Sequence, residues 1–355
     1  MGNKVRIGLI GAGQIGVVHL KSYLEVENAE IAAICDIDET RLNKIADEYG
    51  ITNRYTSVED MLANEKDLDA ADVCVWNVNH AKCAIAALNA GLHVICEKPM
   101  AYSVQEAEEM KACAEKNGKI LMLAFCTRFS DETLIVKDYI DNGYLGNIYY
   151  AKAQYVRRHG NPGGWFGNKA LSGGGPVIDL GVHVLDRARY LMGKPNPVSV
   201  YAVTFEKLGP QRELKNNVGW QPENAKDTDV CDVEDFATAL IRFDNGAVIQ
   251  LETSYDVHLP SSSGLSLCGE KGGMVTGGEN LTMHTNINGY ISDVNISKNS
   301  YKNAGKQFVK ELQEFADCVQ GKAICTATAE DGLIIMKILG AIYESAKTGH
   351  EVIIK

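Results

Sequence analysis

The segment Gly11-Ala12-Gly13-Gln14-Ile15-Gly16 constrains this chain more than any other. It follows an apolar run, Val5–Ile10, and opens a helical pattern carried by Val17, Val18, Leu20, Tyr23 and Leu24. A G-x-G-x-x-G placed between a strand and a helix is the turn that receives a dinucleotide pyrophosphate. The first glycine permits the tight turn, the second lets phosphate approach the backbone, and the third lets the helix pack on the strand. The helix then aims its free N–H groups, from residues such as Gln14 and Ile15, and its positive dipole end at the phosphates. Asp36 closes the next apolar run, twenty residues after Gly16. A carboxylate there binds both ribose hydroxyls and repels a 2′-phosphate. Asp38 adds to that repulsion, while Arg41 nearby could favour NADP instead, or stack on adenine. NAD is the expected cofactor, with NADP the weaker alternative.

The rhythm around the turn extends the argument. Strand candidates at 5–10, 31–35, 73–76, 93–96 and 120–124 alternate with helical patterns. Ser57 with Asp60, and Ser103 with Glu106, form capping-box signatures at helix starts. Gly91 and Gly118 stand where C-terminal caps belong. Repeated strand–helix–strand units imply a parallel sheet covered on both faces. Past residue 125 the pattern changes. A helix at 131–142 and a strand at 148–157 lead through a glycine-rich loop to a helix at 176–192. Strands follow at 198–205, 233–243, 247–255, 264–268 and 273–275, with Asp244-Asn245-Gly246 as a hairpin turn. Residues 206–228 form a polar excursion, and helices at 303–319 and 328–347 precede a short strand at 352–354. The expected fold is an α/β Rossmann dinucleotide-binding domain, 1–125, followed by an α+β domain, 126–355, with a large, mostly antiparallel open sheet. The helix near 328–347 is a candidate to pack back on the first domain.

A chain of 355 residues is too long for one ordinary core, which agrees with two domains. Its net charge of −11 argues against nucleic acid and anionic membrane surfaces. No apolar run is long enough to span a bilayer, and Val5 follows the N-terminus without a signal-peptide pattern. The ten cysteines include no C-x-x-C pair, so a reduced, cytoplasmic chain is expected.

Two segments carry candidate chemistry. Glu97-Lys98-Pro99 terminates the strand at 93–96, and proline holds Lys98 in extended geometry at the end of the sheet where ligands bind. A surface lysine paired with Glu97 would have the same sequence. The second is Gly173-Gly174-Gly175-Pro176, leading into a helix that sets Asp179 and His183 four residues apart, with Asp186 three further on. A histidine beside a carboxylate suits general acid–base work, and equally suits a satisfied pair at a domain junction. No third ligand falls at useful spacing for a metal, so none is expected. Gly181, costly inside a helix by about 1 kcal/mol, implies a close neighbour. Arg157, Arg158, His159 and Trp165 precede this helix and offer hydrogen-bonding and stacking groups to a sugar.

Together these segments resemble the Gfo/Idh/MocA family, named for glucose–fructose oxidoreductase, inositol dehydrogenase and a rhizopine-catabolism protein. The likeness runs through Gly11–Gly16, Ala90-Gly91-Leu92-His93-Val94 before Glu97-Lys98-Pro99, Arg128, Leu145-Gly146, the Gly173–Asp186 segment, and Thr328-Ala329-Glu330-Asp331-Gly332. It departs at Val75-Trp76-Asn77, where the family often has Thr-Pro-Asn. The resemblance implies NAD(P)-dependent hydride transfer on sugars or cyclitols, with Lys98, Asp179 and His183 as the catalytic set. It adds Asn77, His80, Glu97 and Lys98 to the cofactor contacts, and Arg128, Arg157, Arg158 and Trp165 to the substrate contacts. The loop and the triple glycine resemble the branch acting on glucosides and cyclitols, which implies the ring 3-hydroxyl of a glucose or glucoside as substrate. Inositol dehydrogenase, a glycoside-cleaving enzyme that recycles NAD, and a non-catalytic NAD-binding sensor are the alternatives. A homodimer or homotetramer is expected from the open sheet face.

Overall fold

The computed structural model describes residues 4–211, 221–222, 225–226, 228–278, 280–297 and 306–354. It divides into two compact units. One runs to Cys126 and takes in Lys306–Met336; the other starts at Thr127 and resumes at Lys337.

In the first unit, strands β1 (Val5–Ile10), β2 (Ala29–Cys35), β3 (Arg54–Tyr55), β4 (Ala70–Val73), β5 (His93–Cys96) and β6 (Leu121–Leu123) alternate with helices. The helices are α1 (Gln14–Tyr23), α2 (Glu39–Tyr49), α3 (Val58–Asn64), α4 (His80–Asn89) and α5 (Val104–Asn117). The sheet order is β3-β2-β1-β4-β5-β6, with every pair parallel. Strands β4 and β6 are buried throughout, as a sheet covered on both faces requires. Both expected caps form: Ser57 accepts from the Asp60 N–H at 3.1 Å and Ser103 from the Glu106 N–H at 3.2 Å. The strand expected at 73–76 lies three residues earlier. Ala70–Val73 pairs with β1, and Cys74 N–H closes the pairing on the Ile10 carbonyl at 2.7 Å. Val75 and Trp76 then leave the sheet for a 3-10 turn at Asn77–Asn79.

The second unit opens with α6 (Asp131–Asp141) and β7 (Ile148–Val156), passes through the short α7 (Lys169–Ser172), and reaches a π turn, Val177–Gly181, continued by α8 (Val182–Leu191). Then come β8 (Pro197–Phe205), β9 (Phe236–Phe243), β10 (Val248–Ser254), β11 (Ser262–Gly269), β12 (Gly272–Val275), β13 (Leu281–Ile287) and β14 (Tyr290–Ile296). Helix α9 (Gln307–Val319) belongs to the first unit, α10 (Ala329–Thr348) crosses the division, and β15 (Val352–Ile353) ends the second. The nine strands order as β14-β13-β12-β11-β7-β10-β9-β8-β15, antiparallel except for β7 beside β10. One buried row crosses seven of them: Val200, Ile241, Ile249, Ala151, Leu267, Met274 and Met283. The π turn lies on this face, with Gly181 over Leu251 and Thr253 of β10. The expected helix start at 303 and the middle of the 206–228 excursion lie outside the described residues. No helix among the described residues is long and apolar enough to cross a membrane.

Candidate active site

The glycine turn sits where the strand order reverses, between β1 and β4, the place where open α/β sheets take ligands. Gly11 has φ +102, and a Cβ there would stand 2.4 Å from the Cys74 carbonyl oxygen. A Cβ on Gly16 would stand 2.0 Å from the Gly11 oxygen. Gly13 differs: a Cβ would meet nothing within 4 Å, so this glycine faces open space. No side chain caps α1, which leaves its first-turn N–H groups, those of Gln14 and Ile15 included, for a ligand. The open face of Gly13 and the uncapped helix start fit a dinucleotide pyrophosphate.

Asp36 is buried at the end of β2. Its Oδ2 accepts from the Ala12 N–H at 2.7 Å, and Oδ1 from the Asp38 N–H at 2.8 Å and from Arg41 at 3.3 Å. These bonds fix the carboxylate beside the glycine turn, and an ionised carboxylate has about four acceptor positions. One acceptor position, on Oδ2, therefore remains for a ribose hydroxyl.

At the end of β5, Lys98 is half-buried and its peptide to Pro99 is cis. Two neighbours expected to touch cofactor, His80 and Glu97, are buried. His80 is 1% exposed; its Nδ1 lies 2.7 Å from the Pro99 carbonyl and Nε2 3.0 Å from that of Val75. Burial lowers its pKa below the usual histidine value. It fastens the Lys98-Pro99 turn to the exit of β4. Glu97 is buried and accepts from the Lys98 N–H through Oε2 at 3.0 Å, while Oε1 faces His19 Nε2 at 3.2 Å. Asn77 is buried at the start of the 3-10 turn, beside Trp76, which is 39% exposed.

In the second unit, the Asp179–His183 spacing spans the junction of the π turn with α8 rather than one regular helix. π turns inside helices are rare and concentrate at functional sites. Both side chains are half-buried. Asp179 Oδ2 accepts from the Tyr255 hydroxyl at 3.2 Å, and Tyr255 is fully buried. The start of the turn is held by Glu234, which no sequence pattern singled out. Its carboxylate takes the Gly175 N–H at 3.1 Å, the Val177 N–H at 3.1 Å and the Tyr343 hydroxyl at 2.8 Å. Burial raises the Glu234 pKa above the usual carboxylate range against these donors. Glu234 and Tyr255 are 59 and 76 residues from their partners Gly175 and Asp179, so only their tertiary placement exposes them.

The expected substrate contacts divide. Arg128 is 2% exposed and grips Asp186 with Nε at 2.8 Å and Nη2 at 2.5 Å, under the ring of Tyr190. These bonds fasten its guanidinium to α8. Arg157 is half-buried and donates to the Gly160 carbonyl at 3.1 Å, whereas the Arg158 side chain is exposed. Trp165 is half-buried with its ring 4.0 Å from that of Phe166. His159 pairs with buried Asp256 at 2.6 Å.

Comparison with known proteins gives the family. Residues 5–125 match the Gfo/Idh/MocA oxidoreductase family's NAD-binding Rossmann fold, and residues 137–354 match its C-terminal alpha/beta domain. The chain is 36% identical over 352 residues to a D-glucoside 3-dehydrogenase of Escherichia coli, covering 98% of this chain and 97% of that protein. It is 29% identical over 270 residues to a levoglucosan dehydrogenase of Pseudarthrobacter phenanthrenivorans, covering 72% and 68%. A solved levoglucosan dehydrogenase in complex with NADH has the same fold, with a TM-score of 0.85 at 24% identity over 99% of this chain and 100% of that one.

Proposed function

The chain belongs to the Gfo/Idh/MocA oxidoreductase family, with an NAD-binding Rossmann domain, and on that premise we propose that it oxidises the ring 3-hydroxyl of a glucoside with NAD. The observation that carries this reading is its near full-length relationship to a D-glucoside 3-dehydrogenase. Asp36, with both oxygens fixed beside the glycine turn, supports NAD over NADP.

When bound, NAD supplies the hydride acceptor at the para carbon of its nicotinamide. The residues of the chain handle the proton and the charge. Lys98 hydrogen-bonds the reacting oxygen and stabilises the alkoxide charge that develops there. His183 takes the hydroxyl proton as general base. Asp179, held by Tyr255, orients that imidazole or binds a neighbouring hydroxyl. The carbinol thus loses a hydride and a proton and becomes a ketone. Exchange of the roles of Lys98 and His183 gives the same balance, and pH–rate profiles of the single substitutions separate the two. Trp165 and Phe166, stacked on one another, offer a face for the sugar ring, with Arg157 and Arg158 as hydrogen-bond donors.

The test is NADH absorbance against glucose, methyl glucosides, myo-inositol and scyllo-inositol, with the oxidised carbon located by NMR. NADH with a 3-keto glucoside is the expected result. Turnover of inositols alone favours a cyclitol dehydrogenase, and aglycone release without net NADH favours a cleaving enzyme that recycles NAD. NADH binding without turnover of any sugar favours a sensor. Self-association as a homodimer or homotetramer is part of the same reading. It is supported by the outer row of the second sheet, where Tyr201, Leu240 and Val275 stand exposed on one face.

A further inference from the structure

The turn that presents Lys98 rests on a buried polar cluster that the reaction itself does not use. His19 of α1 is 0% exposed, and so is Asp72 of β4. His19 Nδ1 lies 2.9 Å from Asp72 Oδ2, and Nε2 lies 3.2 Å from Glu97 Oε1. The second contact is an ion pair, not an aligned hydrogen bond. Glu97 then uses its other oxygen, Oε2, to accept the Lys98 backbone N–H at 3.0 Å. One imidazole therefore links two acids, and one of those acids holds the amide of the proposed catalytic lysine.

A neutral imidazole has one N–H and one lone pair. It can donate to one acid while setting a lone pair against the other. Two buried carboxylates are matched only when both ring nitrogens carry protons. The surroundings favour that form. Burial alone would lower the His19 pKa, but Asp72 and Cys74 beside it raise it well above the usual value. The other groups facing the cluster are Tyr23 of α1, Cys74 and Cys96 at the ends of β4 and β5, Cys126, and Glu311 of α9. Lys98 also acts on it electrostatically. Burial holds the Cys74, Cys96 and Cys126 thiols and the Tyr23 phenol above their usual ranges. Glu311 is 0% exposed with no hydrogen bond to either oxygen, and burial keeps its carboxyl well above the carboxylate range. His19, Asp72 and Cys74 converge as metal ligands do, but the 2.9 Å Nδ1–Oδ2 separation is that of a hydrogen bond. Ligand atoms on a tetrahedral zinc stand roughly 3.3 Å apart. The cluster holds a proton.

We propose that His19 is a positioning residue: bridging Asp72 and Glu97, it sets the Glu97 carboxylate that holds the Lys98 amide and so fixes where Lys98 meets the reacting oxygen. This rests on the role of Lys98 proposed above. A displacement of about 1 Å at a reacting group can cost on the order of 100-fold in rate, so the clamp should be visible in kcat.

The test separates the two ring nitrogens in the full-length enzyme. The amide of asparagine reaches the place of Nδ1, and that of glutamine the place of Nε2. His19→Asn should keep the Asp72 contact and lose Glu97, lowering kcat about 10- to 100-fold on a methyl glucoside, or on the panel sugar that turns over fastest. His19→Gln should restore the Glu97 contact and most of kcat. NADH affinity, read by fluorescence, should be nearly equal in the two variants. Equal kcat losses in both, or wild-type kcat in His19→Asn, overturns the proposal. Should neither variant fold, Asp72→Asn carries the test, because it weakens the hold on the His19 proton. The alkaline fall of kcat should then begin at lower pH than in wild type; an unmoved limb overturns the proposal. Lys98→Ala is the control for the parent reading. Near-normal turnover there sinks the role of Lys98 itself, whereas an inactive Lys98→Ala beside a normal His19→Asn sinks only the clamp.

Discussion

The two units hold their candidate residues by different means. In the first, the glycine turn, Asp36 and Lys98 stand at the ends of strands of one parallel sheet, and each is placed mainly by backbone that leaves that sheet. Gly11 closes on Cys74 across one strand pair, and Glu97 caps the amide of the next residue. In the second, Asp179 stands on a π turn and His183 on the helix that continues it; the start of the turn is tied by Glu234 and its acid by Tyr255. Those partners come from β9 and β10 or their edges, far along the chain. A parallel sheet presents its ligand site through backbone at its strand ends, while a helix laid on a mostly antiparallel sheet depends on side chains that the sheet brings to it.

Substitutions can break or sharpen that contrast. The largest effect is expected from His183→Ala, which removes the proposed base and should lower kcat/KM about 10²- to 10⁴-fold. NADH affinity should stay near wild type, because the first unit binds the cofactor. A loss under tenfold would remove His183 from the chemistry. Next comes Gly16→Ala, whose Cβ would stand 2.0 Å from the Gly11 oxygen. Backbone cannot yield there cheaply, and overpacking of about 1–3 kcal/mol should weaken NADH binding roughly 10- to 100-fold by fluorescence titration. Unchanged affinity would mean that the turn is not the phosphate site. The smallest effect concerns Glu234. Replacement by alanine orphans the Gly175 and Val177 N–H groups, a cost of about 1–3 kcal/mol in urea unfolding.

Glu234→Gln keeps an acceptor but cannot ionise, and its effect depends on pH. Burial raises the folded pKa of Glu234 above its unfolded value near 4.5, so the folded state binds the proton more tightly. The stability this contributes is complete below the unfolded pKa and is lost as pH rises through the folded one. The glutamine variant should therefore gain on wild type as pH rises above 4.5 and through the raised folded pKa. A constant difference across that window would mean that the carboxyl does not titrate abnormally.

Much of the first unit was legible because local rules agree with one another there. Four of its strands, both capping serines and the glycine turn follow from short-range pattern, while the two-residue β3 is too short to carry one. The strand at 73–76 was misplaced because Cys74-Val75-Trp76 is apolar enough to continue a strand, while the pairing partner β1 ends at Ile10. In the second unit the hairpin β13–β14 escaped notice, since its strands are largely polar and exposed and lack a buried alternation. Its turn, Asn288-Gly289, with φ values of 52 and 83, was a signal available in the chain. The partners of Arg128 and His80, Asp186 and the Pro99 carbonyl, lie 58 and 19 residues away and were not legible in the chain.

Periodicity, glycine spacing and a strand-ending proline, all short-range properties, were enough to point to a dinucleotide domain and a second sheet domain, and to mark Lys98, Asp179 and His183 as candidates whose catalytic roles the family resemblance implies. Tertiary packing alone decided which carboxylates support them. Glu234, Tyr255, Asp72 and His19 have no distinguishing local pattern, because a buried polar group is recognised by the partner that folding brings to it, and that partner lies tens of residues away.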